Sequence, residues 1–304
     1  MKILIVCIHY PVASGRYIAR AFKRLGHDVR TIGPTTGAEI WDIKVDERWA
    51  WRPDCNVAED STSTLPELLR VMDWTPDLVV AADCDWTLQG DVPCPHVVWG
   101  VDNHVSDYRL REWDAMFLAH SSGARMGEPN VHWLPCAFDP EAHSDLGLVR
   151  DIDVVMISGA PNPERVTIMQ AMERAGVKAF AATGLLWEDY NTVYNRAKIA
   201  LVKSINGDVA QRVFENMSQG CCVLMDVCPD LPKLGFYEWV HYVPFDSVDE
   251  AVRVAKSLLR SNEWRRIAAK GAVQVLSHTW DNRARHLLAT VFEERRSGYN
   301  DWLP

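Results

Sequence analysis

The chain has 304 residues, 48% hydrophobic and 24% charged, ordinary globular values that exclude a disordered or collagen-like chain and fit about two domains. Lys and Arg total 32 against 41 Asp and Glu, a formal charge of -9; a field of that sign does not gather polyanions, which counts against non-specific nucleic-acid binding. No apolar run approaches the roughly 18 residues that span a bilayer. The eight Cys residues, several inside apolar runs, form no Cys-x-x-Cys, and reduced thiols in a cytoplasmic protein are the simplest account.

The apolar run at 3–8 is too brief for a signal peptide and no small-residue cleavage site follows it. It reads as a strand buried on both faces, as in a parallel sheet. A loop at 9–14 leads to a helix opening at Gly15, with Ile18, Ala19, Phe22 and Leu25 on one face and Gly26 as the stop. Residues 28–32 read as the second strand, so the opening is Rossmann-like without the full Gly-x-Gly-x-x-Gly fingerprint. Residues 34–64 look irregular, 65–74 helical, and 77–82, 96–99, 115–119 and 131–134 are short strands. The polar stretch 139–151 reads as a linker. Strand and helix then alternate again: strands at 154–157, 177–181, 198–202, 221–225 and 241–244, and helices at 164–175, 188–197, 209–219, 248–260, 263–276 and 281–296. Two α/β domains follow from the double alternation.

The most informative stretch, residues 197–226, reads AKIALVKSINGDVAQRVFENMSQGCCVLMD. At helical spacing Val209, Val213, Phe214 and Met217 form an apolar face, while Asp208, Arg212, Glu215 and Gln219 share another. A carboxylate one turn from a guanidinium at the C-terminal end of a strand lies where open α/β sheets bind ligands. The guanidinium and helix amides suit a diphosphate, and the carboxylate can accept two ribose hydroxyls. A solvated helix face carrying an ion pair fits the same spacing.

Residues 212–224, RVFENMSQGCCVL, resemble the R-x-F-E-x-x-A-x-G-x-x-x-L segment of GT-B glycosyltransferases, in particular the CgeB-like branch with its group-one transferase domain. Asp249-Glu250-Ala251-Val252, Ala269-Lys270-Gly271 and His278-Thr279-Trp280-Asp281-Asn282-Arg283-Ala284 continue the likeness downstream. Ser158-Gly159, Arg165 and the inter-domain segment 134–140 continue it upstream. The resemblance implies an α/β architecture of two Rossmann-like domains facing across a cleft. Residues 1–145 would form the acceptor domain and 150–280 the nucleotide-sugar domain, with 281–304 crossing back onto the first.

It further implies glycosyl transfer from a nucleotide sugar, expected to be a UDP- or GDP-sugar, to an acceptor hydroxyl, with retention and without a metal or resident cofactor. Glu215 aligns with the acid that binds the ribose and Arg212 with a residue beside the diphosphate. Lys203, Arg165, Asp208 and Gly159 are further donor-site candidates. Many retaining relatives carry a second Glu where this chain has Gly207, with Asp208 adjacent. In the acceptor domain Asp102 and His104, in the polar loop after strand 96–99, are the candidates for handling the acceptor proton; a loop with a satisfied His fits that position as well. Gly15, His9, His120, Asp83 and Asp85 would line the cleft, although Gly15 equally suits a plain helix start. The acceptor is open: a glycan, a small molecule or a hydroxymethylated pyrimidine of DNA. A nucleotide-sugar epimerase or a non-catalytic nucleotide-sugar-binding protein would share the architecture.

Overall fold

The computed structural model describes residues 1–297 apart from 41, 84–88, 92, 93, 104, 105, 109–111, 123, 124, 160, 161, 205 and 206. The chain forms two compact units. The first is Met1–Glu39, Asp46–Pro135 and Trp280–Pro304; the second is Ile40–Val45 and Cys136–Thr279.

In the first unit, seven strands make one sheet: β1 (Lys2–Val6), β2 (Asp28–Gly33), β5 (Cys55–Asn56), β6 (Leu78–Ala82), β7 (His96–Gly100), β8 (Ala115–Leu118) and β9 (Val131–Trp133). Their order is β5-β2-β1-β6-β7-β8-β9, and the paired neighbours run parallel. Ile3, Leu4 and Ile5 of β1 are wholly buried, as a central strand covered on both faces requires. The region 34–64, read as irregular, carries β5 and the short pair β3 (Glu39–Ile40) and β4 (Ile43–Lys44). Two-residue strands leave no periodicity for a sequence to show.

Helix α1 (Ser14–Arg24) buries Tyr17, Ile18, Ala21 and Phe22. Helix α2 (Leu65–Val71) opens on a Thr64–Glu67 capping box, which satisfies free first-turn donors. The terminal helix α8 (Trp280–Ser297) packs on α1. The Arg24 guanidinium grips Asp281 through Nε at 3.0 Å and Nη2 at 2.5 Å. The Trp280 ring lies 6.1 Å from Tyr17 and 5.3 Å from Trp99.

The second unit holds a parallel sheet of β10 (Ile152–Ser158), β11 (Ala179–Thr183), β12 (Ala197–Val202), β13 (Cys222–Asp226) and β14 (Tyr242–Phe245), in the order β11-β10-β12-β13-β14. Val154 and Met156 turn into one core with α3 (Pro163–Arg174), α6 (Val248–Ser261) and α7 (Trp264–Gln274). Val155 and Ile157 turn into the other, with Tyr190 and Tyr194 of α4 (Trp187–Asn195). Helix α5 (Gln211–Ser218) follows β12 and buries Val213, Phe214 and Met217.

The chain passes from the first unit to the second at Pro135–Cys136 and returns at Thr279–Trp280, so 139–151 belongs to the second unit. Its polar residues are engaged in internal bonds. Arg150 donates to the carbonyls of Tyr194 (3.3 Å) and Gln219 (2.7 Å), at the C-terminal ends of α4 and α5, and to that of Ala197 at the start of β12, a favourable place for a cation. Asn195 accepts from the Leu146 amide (2.6 Å) and donates to the Ser144 carbonyl (2.9 Å). Polarity in a sequence does not distinguish a hydrated linker from a strap whose polar groups are satisfied internally.

Close approach decides one glycine. A Cβ built on Gly100 would sit 2.3 Å from Cε2 and 2.5 Å from Cζ of Tyr108. That buried ring cannot swing aside freely because its hydroxyl is tied to Asp83 at 2.7 Å. Gly100→Ala is therefore expected to cost about 1–3 kcal/mol through overpacking, a drop of several degrees in Tm by circular dichroism. A Tm within a degree of wild type would show that the ring yields.

Candidate active site

In an open parallel sheet, ligands bind beyond the carboxyl ends of the strands, where the strand order reverses and successive loops part. In the second unit the order reverses between β10, whose connection runs to β11, and β12 on its other side. The loops leaving β10 and β12 carry Gly159, Lys203 and Asp208, and the helices that follow carry Arg165, Arg212 and Glu215.

Glu215 is buried on α5, and three side chains close on its carboxylate. Tyr190 Oη donates to Oε2 at 2.8 Å and Gln211 Nε2 to Oε1 at 2.7 Å; His143 Nε2 lies 3.3 Å from Oε1. The Asp139 amide donates to His143 Nδ1 at 3.4 Å. Nδ1 is thereby an acceptor, which assigns the ring proton of the neutral imidazole to Nε2, facing Glu215. Burial, then the Glu215 charge, raises the Tyr190 pKa well above its ordinary value, so the phenol stays a donor. A carboxylate offers about four lone-pair positions. With two filled by hydrogen bonds and His143 set against a third, Glu215 keeps room for one further hydroxyl donor. His143, Tyr190 and Gln211 were not singled out in the sequence. The available signal was a lone His in a polar stretch and a Gln one turn ahead of the Glu.

The charges expected at a donor site separate into different roles. Arg165, buried in the first turn of α3, spends its guanidinium on the Lys203 carbonyl, through Nε at 3.2 Å and Nη2 at 2.8 Å. Burial and then the nearby Arg212 lower its pKa. Lys203 Nζ lies 3.1 Å from Asp226 Oδ2 and 3.4 Å from Glu164 Oε2. Burial opposes its charge, but those two carboxylates outweigh burial and raise its pKa. Asp226 also accepts from the Ser204 amide (2.8 Å) and hydroxyl (2.6 Å), so it fastens the loop after β12 to the end of β13. Arg212, half-buried in the first turn of α5, makes no hydrogen bond or ion pair among the described residues. Helix α5 starts without a side-chain cap at Ala210. Asp208 and Gly159 are half-buried in their loops, and Gly207 has φ +71°, a backbone that suits glycine.

In the first unit, the carboxyl ends of the adjacent strands β1, β6, β7 and β8 lead to His9, Asp83, Asp102 and His120. Asp83 Oδ1 accepts from the amides of Val101 (3.0 Å) and Asp102 (3.2 Å) and from Tyr108 Oη (2.7 Å). Burial, then the Asp102 charge, pushes its pKa up to about 6. Asp102 itself is exposed. Asn103 brackets His120, accepting from its amide at 2.9 Å and donating to its carbonyl at 3.0 Å. His9 is wholly buried against Trp51, ring centroids 4.1 Å apart, and burial lowers its pKa to about 4. Gly15 is also buried: a Cβ there would meet Cys7 Sγ at 2.6 Å and Ala82 Cβ at 3.4 Å, so it brings α1 close to β1 and β6. His104 and Asp85 lie outside the described residues.

Residues 165–289 match a family model described as glycosyl transferase-like. No curated protein matches the chain. Sucrose-phosphate synthase from Thermosynechococcus elongatus has a similar structure, with a TM-score of 0.62 at 12% identity over 97% of this chain and 99% of that one. HepE of Anabaena, solved with UDP and glucose, gives 0.61 at 12% identity over 96% and 99%. The pneumococcal O-GlcNAc transferase GtfA, solved with UDP and GlcNAc, gives 0.60 at 8% identity over 96% and 99%. The fold is the one these solved structures share, two Rossmann-like units of the GT-B kind, and the segment 165–289 is similar to glycosyl transferases. Among the described residues no helix is long and apolar enough to cross a membrane.

His9 and Asp83 titrate with opposite consequences. Unfolded His9 takes a proton near 6.5 and the folded one only near 4, so its contribution to stability is lost as pH falls across that window. Unfolded Asp83 ionises near 3.8 and the folded one near 6, so its contribution is lost as pH rises across that range. Between pH 4 and 7 the urea midpoint of Asp83→Asn is expected to rise more steeply with pH than that of wild type, and that of His9→Gln less steeply. Parallel curves for all three proteins would show that neither group is displaced by folding.

Proposed function

We propose that the chain transfers a sugar from a nucleotide-sugar donor to an acceptor hydroxyl, with the donor on the second unit. The observation that carries this reading is the start of α5. An unpaired Arg212 and uncapped helix amides stand one turn from the buried carboxylate of Glu215, at the strand-order reversal. A guanidinium and helix amides suit a diphosphate, and a carboxylate with one acceptor position left suits a ribose hydroxyl. The UDP present in the HepE and GtfA structures makes a UDP-sugar the first donor to test.

In the transfer, the bond from the anomeric carbon to the diphosphate breaks as the acceptor oxygen bonds to that carbon on the same face, and the acceptor's hydroxyl proton passes to the departing diphosphate. The negative charge that develops on the diphosphate is met by Arg212 and the α5 amides, without a metal. Arg165 and Lys203 act one step back: Arg165 fixes the Lys203 carbonyl, and Asp226 fixes the loop. The first unit takes the acceptor, with exposed Asp102 positioning its hydroxyl. The anomeric configuration is retained, as the resemblance implies. The cell compartment is the cytoplasm, where the free thiols of the described cysteines are stable.

A thermal-shift panel of UDP-, GDP-, ADP- and dTDP-sugars tests the donor class, since a ligand that binds the folded chain alone raises Tm with its concentration. One base is expected to stand out, and no response to any of them would overturn the reading. With that base, Arg212→Ala should reduce the preference for nucleoside diphosphate over nucleoside by roughly tenfold or more, as loss of a charge-assisted bond does. Equal weakening of both ligands would return Arg212 to a structural role.

Asp102→Asn is expected to lower kcat strongly while donor affinity and Tm stay near wild type, because a group that handles only the acceptor does not touch the donor. Unchanged single-turnover transfer would remove Asp102 from the reaction.

A further inference from the structure

The donor reading assigns a task to Glu215 but leaves open what keeps its carboxylate in one orientation. Of the three side chains on it, Gln211 rides on the same helix and is half-buried, and Tyr190 belongs to α4. The third, His143, comes from the strap between Cys136 and β10. We infer that His143 is a positioning residue for the ribose-binding carboxylate, holding Glu215 Oε1 from outside the helix that carries it; this rests on the donor reading above.

Three observations support the inference. The ring itself is held, with the Asp139 amide on Nδ1 at 3.4 Å and the Tyr190 ring edge-on at 5.8 Å and 74°. Nε2 is thereby held 3.3 Å from Oε1. The backbone around it is anchored on both neighbouring helices: Ser218 Oγ of α5 donates to the His143 carbonyl at 3.2 Å, and the Ser144 amide donates to Asn191 Oδ1 of α4 at 3.3 Å. Both side chains are shielded, His143 at 3% exposure and Glu215 at 6%, so water cannot readily replace the lost bond. Without His143, one bond from Gln211 would locate Oε1, and the carboxylate plane could turn about its last torsion. Such a turn moves the one acceptor position left for a hydroxyl.

The readout is discrimination between ribose and 2′-deoxyribose, because only a donor hydroxyl senses where that position lies. UDP and 2′-deoxy-UDP, with GDP and ADP pairs in parallel, are titrated by calorimetry into wild type, His143→Ala, His143→Gln and Glu215→Gln, with Tm measured beside each. Wild type is expected to prefer the ribonucleotide, and Glu215→Gln to narrow that preference. His143→Ala should narrow it by about three- to tenfold, the effect of one lost bond to a charged group, softened by Gln211. His143→Gln, whose amide N–H can reach the same oxygen, should restore most of it. A merely structural His143 would lower Tm and weaken both nucleotides equally. Equal weakening, or an unchanged ratio in His143→Ala while Glu215→Gln narrows it, overturns the inference alone. An unchanged ratio in Glu215→Gln overturns the ribose assignment and the His143 role with it. If wild type takes up none of the nucleotides, the donor reading itself fails.

Discussion

A carboxylate withdrawn from water must be met by donors, and the second unit is arranged around meeting that demand at Glu215. The residue cannot be satisfied by its own helix. Gln211, one turn back, reaches one oxygen, while the other needs Tyr190 from α4. The remaining side chain, His143, arrives on the strap. A strap carrying a buried His cannot be a free linker, so its backbone is held in turn by Asn191, Asn195 and Ser218. Arg150 closes the far end on the carbonyls of α4 and α5. An unpaired buried charge costs several kcal/mol, which is why one acid on α5 commits side chains from three segments.

The charges around the strand-order reversal follow from the same accounting of partners. Lys203 and Arg165 are both basic and both close to the site, yet neither presents a free cation. Lys203 is matched by Asp226 and Glu164, and Arg165 by the Lys203 carbonyl. Their effect is to hold a loop in shape. Arg212 alone lacks a bonded partner among the described residues, so a phosphate would find one unspent guanidinium beside uncapped amides. A preorganised donor of this kind needs no rearrangement as charge develops.

Much of this architecture was legible in the sequence because it rests on local pattern. The apolar run at β1, the alternation of strand and helix, and the buried face of α5 with Val213, Phe214 and Met217 are periodicities that any covered parallel sheet imposes. The site was legible as to which residues bear charge. It was not legible as to how each charge is spent, because the partners of Lys203 lie on other strands and helices. His143 illustrates the limit: in sequence it is a lone His in a polar stretch, and only the fold shows that its ring faces a buried acid. Gly15 illustrates the converse. A glycine at a helix start suits a ligand or a close helix-to-strand approach equally well, and Cys7 and Ala82 occupy the space a side chain would need.

The rim of the first unit follows a different logic. Asp83 sits at φ +47° and Tyr108 at φ +52°, conformations that a non-glycine residue holds only when its surroundings over-determine it. Here the Asp83 carboxylate does so by receiving the Tyr108 hydroxyl and two amides of the β7 loop. Those bonds consume Asp83: its oxygen is turned inward and its charge is penalised by burial and by Asp102. Asp102, whose amide is fixed by the same bond, keeps an exposed carboxylate. Of two neighbouring acids, one has become the framework and the other is the group it presents to solvent.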